Sequence, residues 1–197
     1  MMGELFEVFD GEPFCWCCLY RTLPSGVRYS GDMKRDDYMR AAIAAAEQAA
    51  ASGGVAIGAV LVDRTTGEIV ATGGSMVGPT KDPTAHAEVN AIRAAAQKFH
   101  TDDLYGLALY STLEPCHMCL SAAAWARIPE VYFGAYKKDV DPSLFDIKGD
   151  FSDELEGGRM NLRERTSMQV QGGILEAECA QLLASYGDHE HHGRPAA

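Results

Sequence analysis

The chain has 197 residues, 47% hydrophobic and 23% charged, with a formal charge of −11. That length suits one domain with a full core, and no run reaches the ~18 apolar residues that span a bilayer. Glu4, Glu7, Asp10 and Glu12 leave no basic region for a signal peptide, so the six cysteines are expected to be reduced thiols in the cytoplasm, available for metal or burial. The acidic balance argues against a phosphate-binding surface and for a small-molecule partner; no nucleic acid and no membrane are expected.

Residues 1–32 show no clear period and include the cluster Cys15, Cys17 and Cys18. Met33 opens an orderly helical segment, with Asp36 or Asp37 as N-cap, an apolar stripe through Met39, Ile43, Ala46 and Ala50, and Gly53-Gly54 as its stop. "VAIGAVLVD" reads as a buried strand, "RTTG" as a turn, and "EIVATGGS" as the returning strand of a hairpin. "KDPT" is a helix-start signal with Thr84 as cap, and "AHAEVNAIRAAAQKF" continues as helix. "LALYST" is a third strand, "PCHMCLSAAAWAR" a helix with Pro115 near its first turn, and "EVYFGAY" a fourth strand. Residues 137–166 are polar and Gly-interrupted, with room for a short helix; "SMQVQGG" and "ILEAECAQLLASY" give a last strand and helix. Cys179 sits in that helical pattern and reads as a small buried hydrophobe. The tail after residue 187, with His189, His191 and His192, reads as solvated and disordered. Strands alternating with helices, the first two forming a hairpin, predict an α/β fold: a three-layer α/β/α sandwich around a mixed five-stranded sheet.

Cys116 and Cys119 are three apart at a predicted helix start, so they share a face and can grip one ion, and the outward N–H groups there favour thiolates. Two thiolates do not complete a zinc site, which takes four protein ligands when structural and three plus a water when catalytic. Two completions compete: the Cys15, Cys17 and Cys18 cluster, whose spacing is not that of a zinc knuckle, or His86, which begins a helix that also follows a strand.

"HAE" at 86–88 with "PCHMC" at 115–119 forms the H-x-E … P-C-x-x-C signature. With "IGAVLVD", "DPTAHAEVNAIRAA" and "STLEPCHMC" in that order over roughly residues 36–135, the chain resembles the cytidine-deaminase-like superfamily of zinc deaminases. The resemblance implies one zinc per chain on His86, Cys116 and Cys119. It also implies a zinc-activated water attacking the amine-bearing ring carbon, with Glu88 carrying protons to the ring nitrogen and the leaving ammonia. Residues two apart on a helix do not face each other, so Glu88 comes from the resemblance and not from spacing. "DPTAHAEV" and Trp125-Ala126-Arg127 resemble bacterial guanine deaminases, while "QVQGGILEAECAQLL" is similar to the C-terminal end of tRNA adenosine deaminases. The charge favours a nucleobase or nucleoside of guanine type over tRNA. A non-catalytic zinc-bearing scaffold is the remaining alternative, against which Glu88 stands.

Ser75, Ala87, Glu114, Phe145 and Asp146 are the candidate substrate contacts. Two positions depart from the family pattern: Ser75 stands where many members carry an Asn, and Ala56 where many carry a Pro. The serine reaches less far and offers one donor in place of an amide's two. The resemblance further implies a homodimer through the helices bearing the metal motifs. Residues 1–32 lie outside it and are expected to be an appended arm or the product of a misplaced start codon; the deaminase domain is expected over 33–187.

Overall fold

A computed structural model describes residues 8–9, 12–13, 35–140 and 168–187. Near the N-terminus, β1 (Val8–Phe9) pairs antiparallel with β2 (Glu12–Pro13), a short hairpin where the sequence shows no period. The main body runs α1 (Arg35–Ala51), β3 (Gly58–Asp63), β4 (Ile69–Gly74), α2 (Val77–Thr80), α3 (Ala87–Phe99), β5 (Leu107–Leu113), α4 (His117–Trp125) and β6 (Glu130–Ala135). A 3₁₀ turn follows at Lys137–Asp139, and β7 (Gln169–Gln171) and α5 (Glu176–Gly187) complete the described chain.

The five-stranded sheet has the order β4-β3-β5-β6-β7. The β3–β4 and β3–β5 pairs are antiparallel, and β5–β6 and β6–β7 parallel. Every residue of β5 is buried, as expected of an inner strand covered on both faces, and this explains its unbroken apolar run. On one face Leu61, Leu109 and Val131 pack under Ala87, Ala91 and Ala95 of α3 and Ala123 of α4. On the other, Val60, Tyr110 and Tyr132 meet Met39 and Ala42 of α1 and Cys179 and Leu183 of α5. The predicted mixed three-layer α/β/α sandwich is therefore the fold observed.

Local differences have physical causes. Asp36 and Asp37 lie inside the first turn of α1 instead of capping it, where their charge suits the helix dipole. Its buried face is Tyr38, Met39, Ala42, Ala45, Ala46 and Ala49, with Ile43 and Ala50 only half-buried. The helix ends as expected, with Gly53 at φ +79°. The N-cap of α3 is His86 and not Thr84, because Asp82 captures both the Thr84 amide (2.8 Å) and hydroxyl (2.6 Å) in a turn before the helix. Any side chain at Gly73 would collide with the Ala87 carbonyl and the Ala91 amide, so that glycine lets the start of α3 lie directly on β4. Cys179 is fully buried, as read from the sequence. Among the described residues, no helix is long and apolar enough to cross a membrane.

Candidate active site

The starts of α3 and α4 meet over the carboxyl end of the sheet. His86 is the N-cap of α3 (φ −70°, ψ 154°) and Cys116 the N-cap of α4 (φ −72°, ψ 169°). Both are extended residues that leave a loop, and neither uses its side chain for capping, so both side chains are released toward the gap between the helices. Pro115 precedes Cys116, restricting the approach to the turn. An Asp82–Thr84–Arg93 brace holds the approach to His86: Arg93 Nη2 donates to Thr84 Oγ1 at 3.0 Å and Nη1 lies 3.6 Å from Asp82 Oδ2.

Three ligand atoms form a triangle. His86 Nδ1 is 3.6 Å from Cys116 Sγ and 3.5 Å from Cys119 Sγ, and the two sulfurs are 3.5 Å apart. Zinc–sulfur bonds of ~2.3 Å and a zinc–nitrogen bond of ~2.0 Å at tetrahedral angles put such atoms ~3.5–3.8 Å apart. The donor set of two thiolates and an imidazole suits zinc, and three protein ligands leave one position open, the pattern of a catalytic site. The structure brings together His86, Cys116 and Cys119, the three residues expected from the sequence, in a position to bind one metal. The rival cluster Cys15, Cys17 and Cys18 lies outside the described residues.

The three groups differ: Cys116 is held toward its thiolate, whereas Cys119 and His86 are held toward their protonated forms. A hydrogen bond from the Cys119 thiol, and then the His86 side chain, hold the Cys116 thiol down at about 4, while the same partnership and burial push Cys119 up. The hydrogen bond with Cys116 also raises His86, against the effect of its burial. Glu88, one residue into the helix, is 4% exposed. Burial raises its carboxyl above the usual range, countered in part by a bond to its own backbone, and it is coupled to Cys116, His86 and Cys119. The Glu88 carboxyl thus stands beside the ligand set, buried together with Cys119 while His86 and Cys116 are half-buried.

The candidate substrate contacts divide. Ser75 follows β4 directly, is buried, and its amide donates to Ile57 O at 2.9 Å. The next amide, Met76 N, donates to Ala85 O at 2.9 Å, drawing this segment against the residue before His86. The Ala87 methyl belongs to the core under α3, so its side chain does not line the site. Glu114 Oε2 accepts from the Lys137 amide at 3.2 Å, tying the loop before α4 to the end of β6. Phe145 and Asp146 lie outside the described residues. Sequence reasoning passed over two neighbours: Lys137, whose charge bears on His86, and Asn90, one turn along α3. A polar residue four after His86 in an otherwise apolar helix was the available signal for Asn90.

Comparison with known proteins agrees with this geometry. Residues 33–135 match the family described as the cytidine and deoxycytidylate deaminase zinc-binding region. The tRNA-specific adenosine deaminase of Haemophilus influenzae is 37% identical over 150 residues, 75% of this chain and 80% of that protein. The guanine deaminase of Bacillus subtilis is 38% identical over 115 residues, 58% of this chain and 72% of that one. A solved structure from work on A-to-I editing by tRNA:A34 deaminases at the wobble position superposes with a TM-score of 0.60 at 34% identity, covering 76% of this chain and 100% of the other.

Proposed function

Because this chain belongs to the cytidine and deoxycytidylate deaminase zinc-binding family, we propose that its substrate is an adenosine in tRNA, converted hydrolytically with release of ammonia. The observation that carries the substrate is the 37% identity to a tRNA-specific adenosine deaminase across four fifths of that protein. The chain's overall acidity argued for a small molecule, but residues 35–140 hold nine Lys and Arg against twelve Asp and Glu, a net −3 of the total −11. Most of the acidic excess therefore lies outside the segment that builds the site. Guanine is the second reading, favoured by the 38% identity to a guanine deaminase over a shorter stretch.

His86, Cys116 and Cys119 would hold a zinc ion, which when bound would supply Lewis-acid activation of water. Glu88 takes a proton at its carboxylate from the attacking water, made possible by burial that keeps the carboxyl basic. It gives that proton to the ring nitrogen beside the reacting carbon, then takes the second proton from the hydroxyl formed on that carbon and gives it to the departing amine. The carbon–nitrogen bond breaks, the water oxygen becomes the ring carbonyl, and ammonia leaves. Ser75 offers its hydroxyl to the base from the β4 side, and the Ala87 main chain and the Glu114 loop frame the other walls. Incubation of zinc-loaded protein with bulk tRNA, followed by nucleoside analysis for inosine, tests this reading against ammonia release from guanine.

The outer face of α4 supports a homodimer. Met118, Leu120, Ala122 and Ala124 are only half-buried and Trp125 is 88% exposed, while Cys119 and Ala123 alone are buried. A helix apolar all round is stable when covered. Sedimentation equilibrium giving a mass near 21.3 kDa would remove the dimer. The described cysteines are free thiols, which fits a reducing, cytoplasmic setting.

A further inference from the structure

We propose that Asn90 is a positioning residue of this site, its buried amide fixing the strand end that carries Ser75 against the helix start that carries His86. The inference rests on the reading of His86 as a metal ligand and Ser75 as a substrate contact.

Asn90 is 1% exposed and lies on α3, where its backbone amide donates to His86 O at 2.9 Å. Its side-chain Nδ2 donates twice, to Gly74 O at 2.8 Å and to Ala85 O at 3.2 Å. These two carbonyls belong to the residue before Ser75 and the residue before His86. Two donors on one rigid planar group thus set the distance between two segments that are eleven positions apart in the chain.

Only one of these carbonyls has a second described donor. Ala85 O already accepts from Met76 N at 2.9 Å. Gly74 stands opposite Gly58, beside the bond from Ser75 N to Ile57 O, and β4 is the edge strand. Opposed residues in an antiparallel ladder alternate between bonded and unbonded pairs, so the Gly74 carbonyl turns to the open edge. Asn90 Oδ1, meanwhile, is buried with no partner among the described residues. A buried acceptor left unpaired is a cost, which the asparagine offsets through the cross-tie, including its bond to the Gly74 carbonyl at 2.8 Å. Ala87 and Ala91 on the same helix show that small apolar side chains suit this layer.

The test uses the full chain loaded with cobalt(II) in place of zinc, whose visible and thiolate charge-transfer absorption reports ligand geometry independently of any substrate. Asn90→Ala and Asn90→Asp remove both donors, and Asn90→Ser keeps one. Val62→Ala, a cavity in the opposite core layer, controls for lost stability alone. Expected are a shifted cobalt spectrum and a metal affinity weakened roughly 10–100-fold for Asn90→Ala and Asn90→Asp, a smaller change for Asn90→Ser, and a parental spectrum for Val62→Ala at a comparable loss of Tm. On an active substrate, KM rises together with a fall in kcat, since both walls move. Parental spectrum and affinity in the folded Asn90 variants would overturn the proposal, and so would failure of all three to fold, which would make the amide a folding determinant. Spectral changes without inosine or xanthine production would leave the positioning role standing and remove the substrate reading instead.

Discussion

His86 Nδ1 and Cys116 Sγ stand 3.6 Å apart although thirty residues separate them, each at the N-cap of its own helix. The sheet makes this meeting: β4 and β5 flank β3, so the helices that follow them start on the same edge. Metal binding is then a property of two helix starts and not of either motif alone.

Replacing His86 with Ala should therefore empty the site even though both cysteines remain. Zinc measured by mass spectrometry falls from one per chain toward zero, and chelation of the parent with dipicolinate has the same effect on activity, reversed by added zinc. A His86→Ala variant holding a full equivalent of zinc would return the ligand assignment to Cys15, Cys17 and Cys18.

Glu88→Gln keeps the shape of the buried side chain and removes its proton traffic. Turnover should fall ~10²–10⁴-fold, the usual size of a general acid–base contribution, with zinc content and Tm near parental. Parental turnover in this variant would refute the proton role.

Gly134 lies against Cys179, and a side chain at that position would collide with its Sγ and Cβ. Gly134→Val should cost about 1–3 kcal/mol through overpacking between β6 and α5, read as a drop in Tm of roughly 2–8 °C. An unchanged Tm would mean that α5 is not held where the structure puts it.

Burial pushes the Cys179 thiol from 9.0 up to about 12, and burial likewise raises Tyr110 above 10.0. In both groups the folded chain keeps its proton after the unfolded chain has lost it. Their stabilisation is complete below pH 9 and is lost as pH rises toward 12 and beyond. Melting of zinc-loaded protein across pH 8–11 should show a falling Tm, with a shallower fall in Cys179→Ala; equal slopes would contradict the assignment.

The cysteine pair was legible because its chemistry is local, two cysteines three apart at a helix start, whereas His86 was chosen over the Cys15, Cys17 and Cys18 cluster only through the resemblance. Glu88 was legible only through resemblance, since its neighbour-plus-two relation to His86 has no helical logic of its own. The buried face of α1 was misjudged because alanine fills it, so Ala42, Ala45 and Ala49 offer no contrast with the exposed side. Thr84 looked like a cap because its competitor for the hydroxyl, Asp82, acts through a turn that spacing does not reveal. Asn90 escaped notice because its partners are two carbonyls brought together by the hairpin. The net charge could not decide the substrate because it sums over the whole chain, of which residues 35–140 carry only −3.

The most direct test of the account is nucleoside analysis of tRNA incubated with the zinc-loaded protein and, in parallel, with Glu88→Gln. Inosine formed by the parent and lost in the variant, with no xanthine from guanine, is the predicted result. Xanthine from guanine with no inosine in tRNA would contradict the tRNA reading and make the nucleobase the substrate.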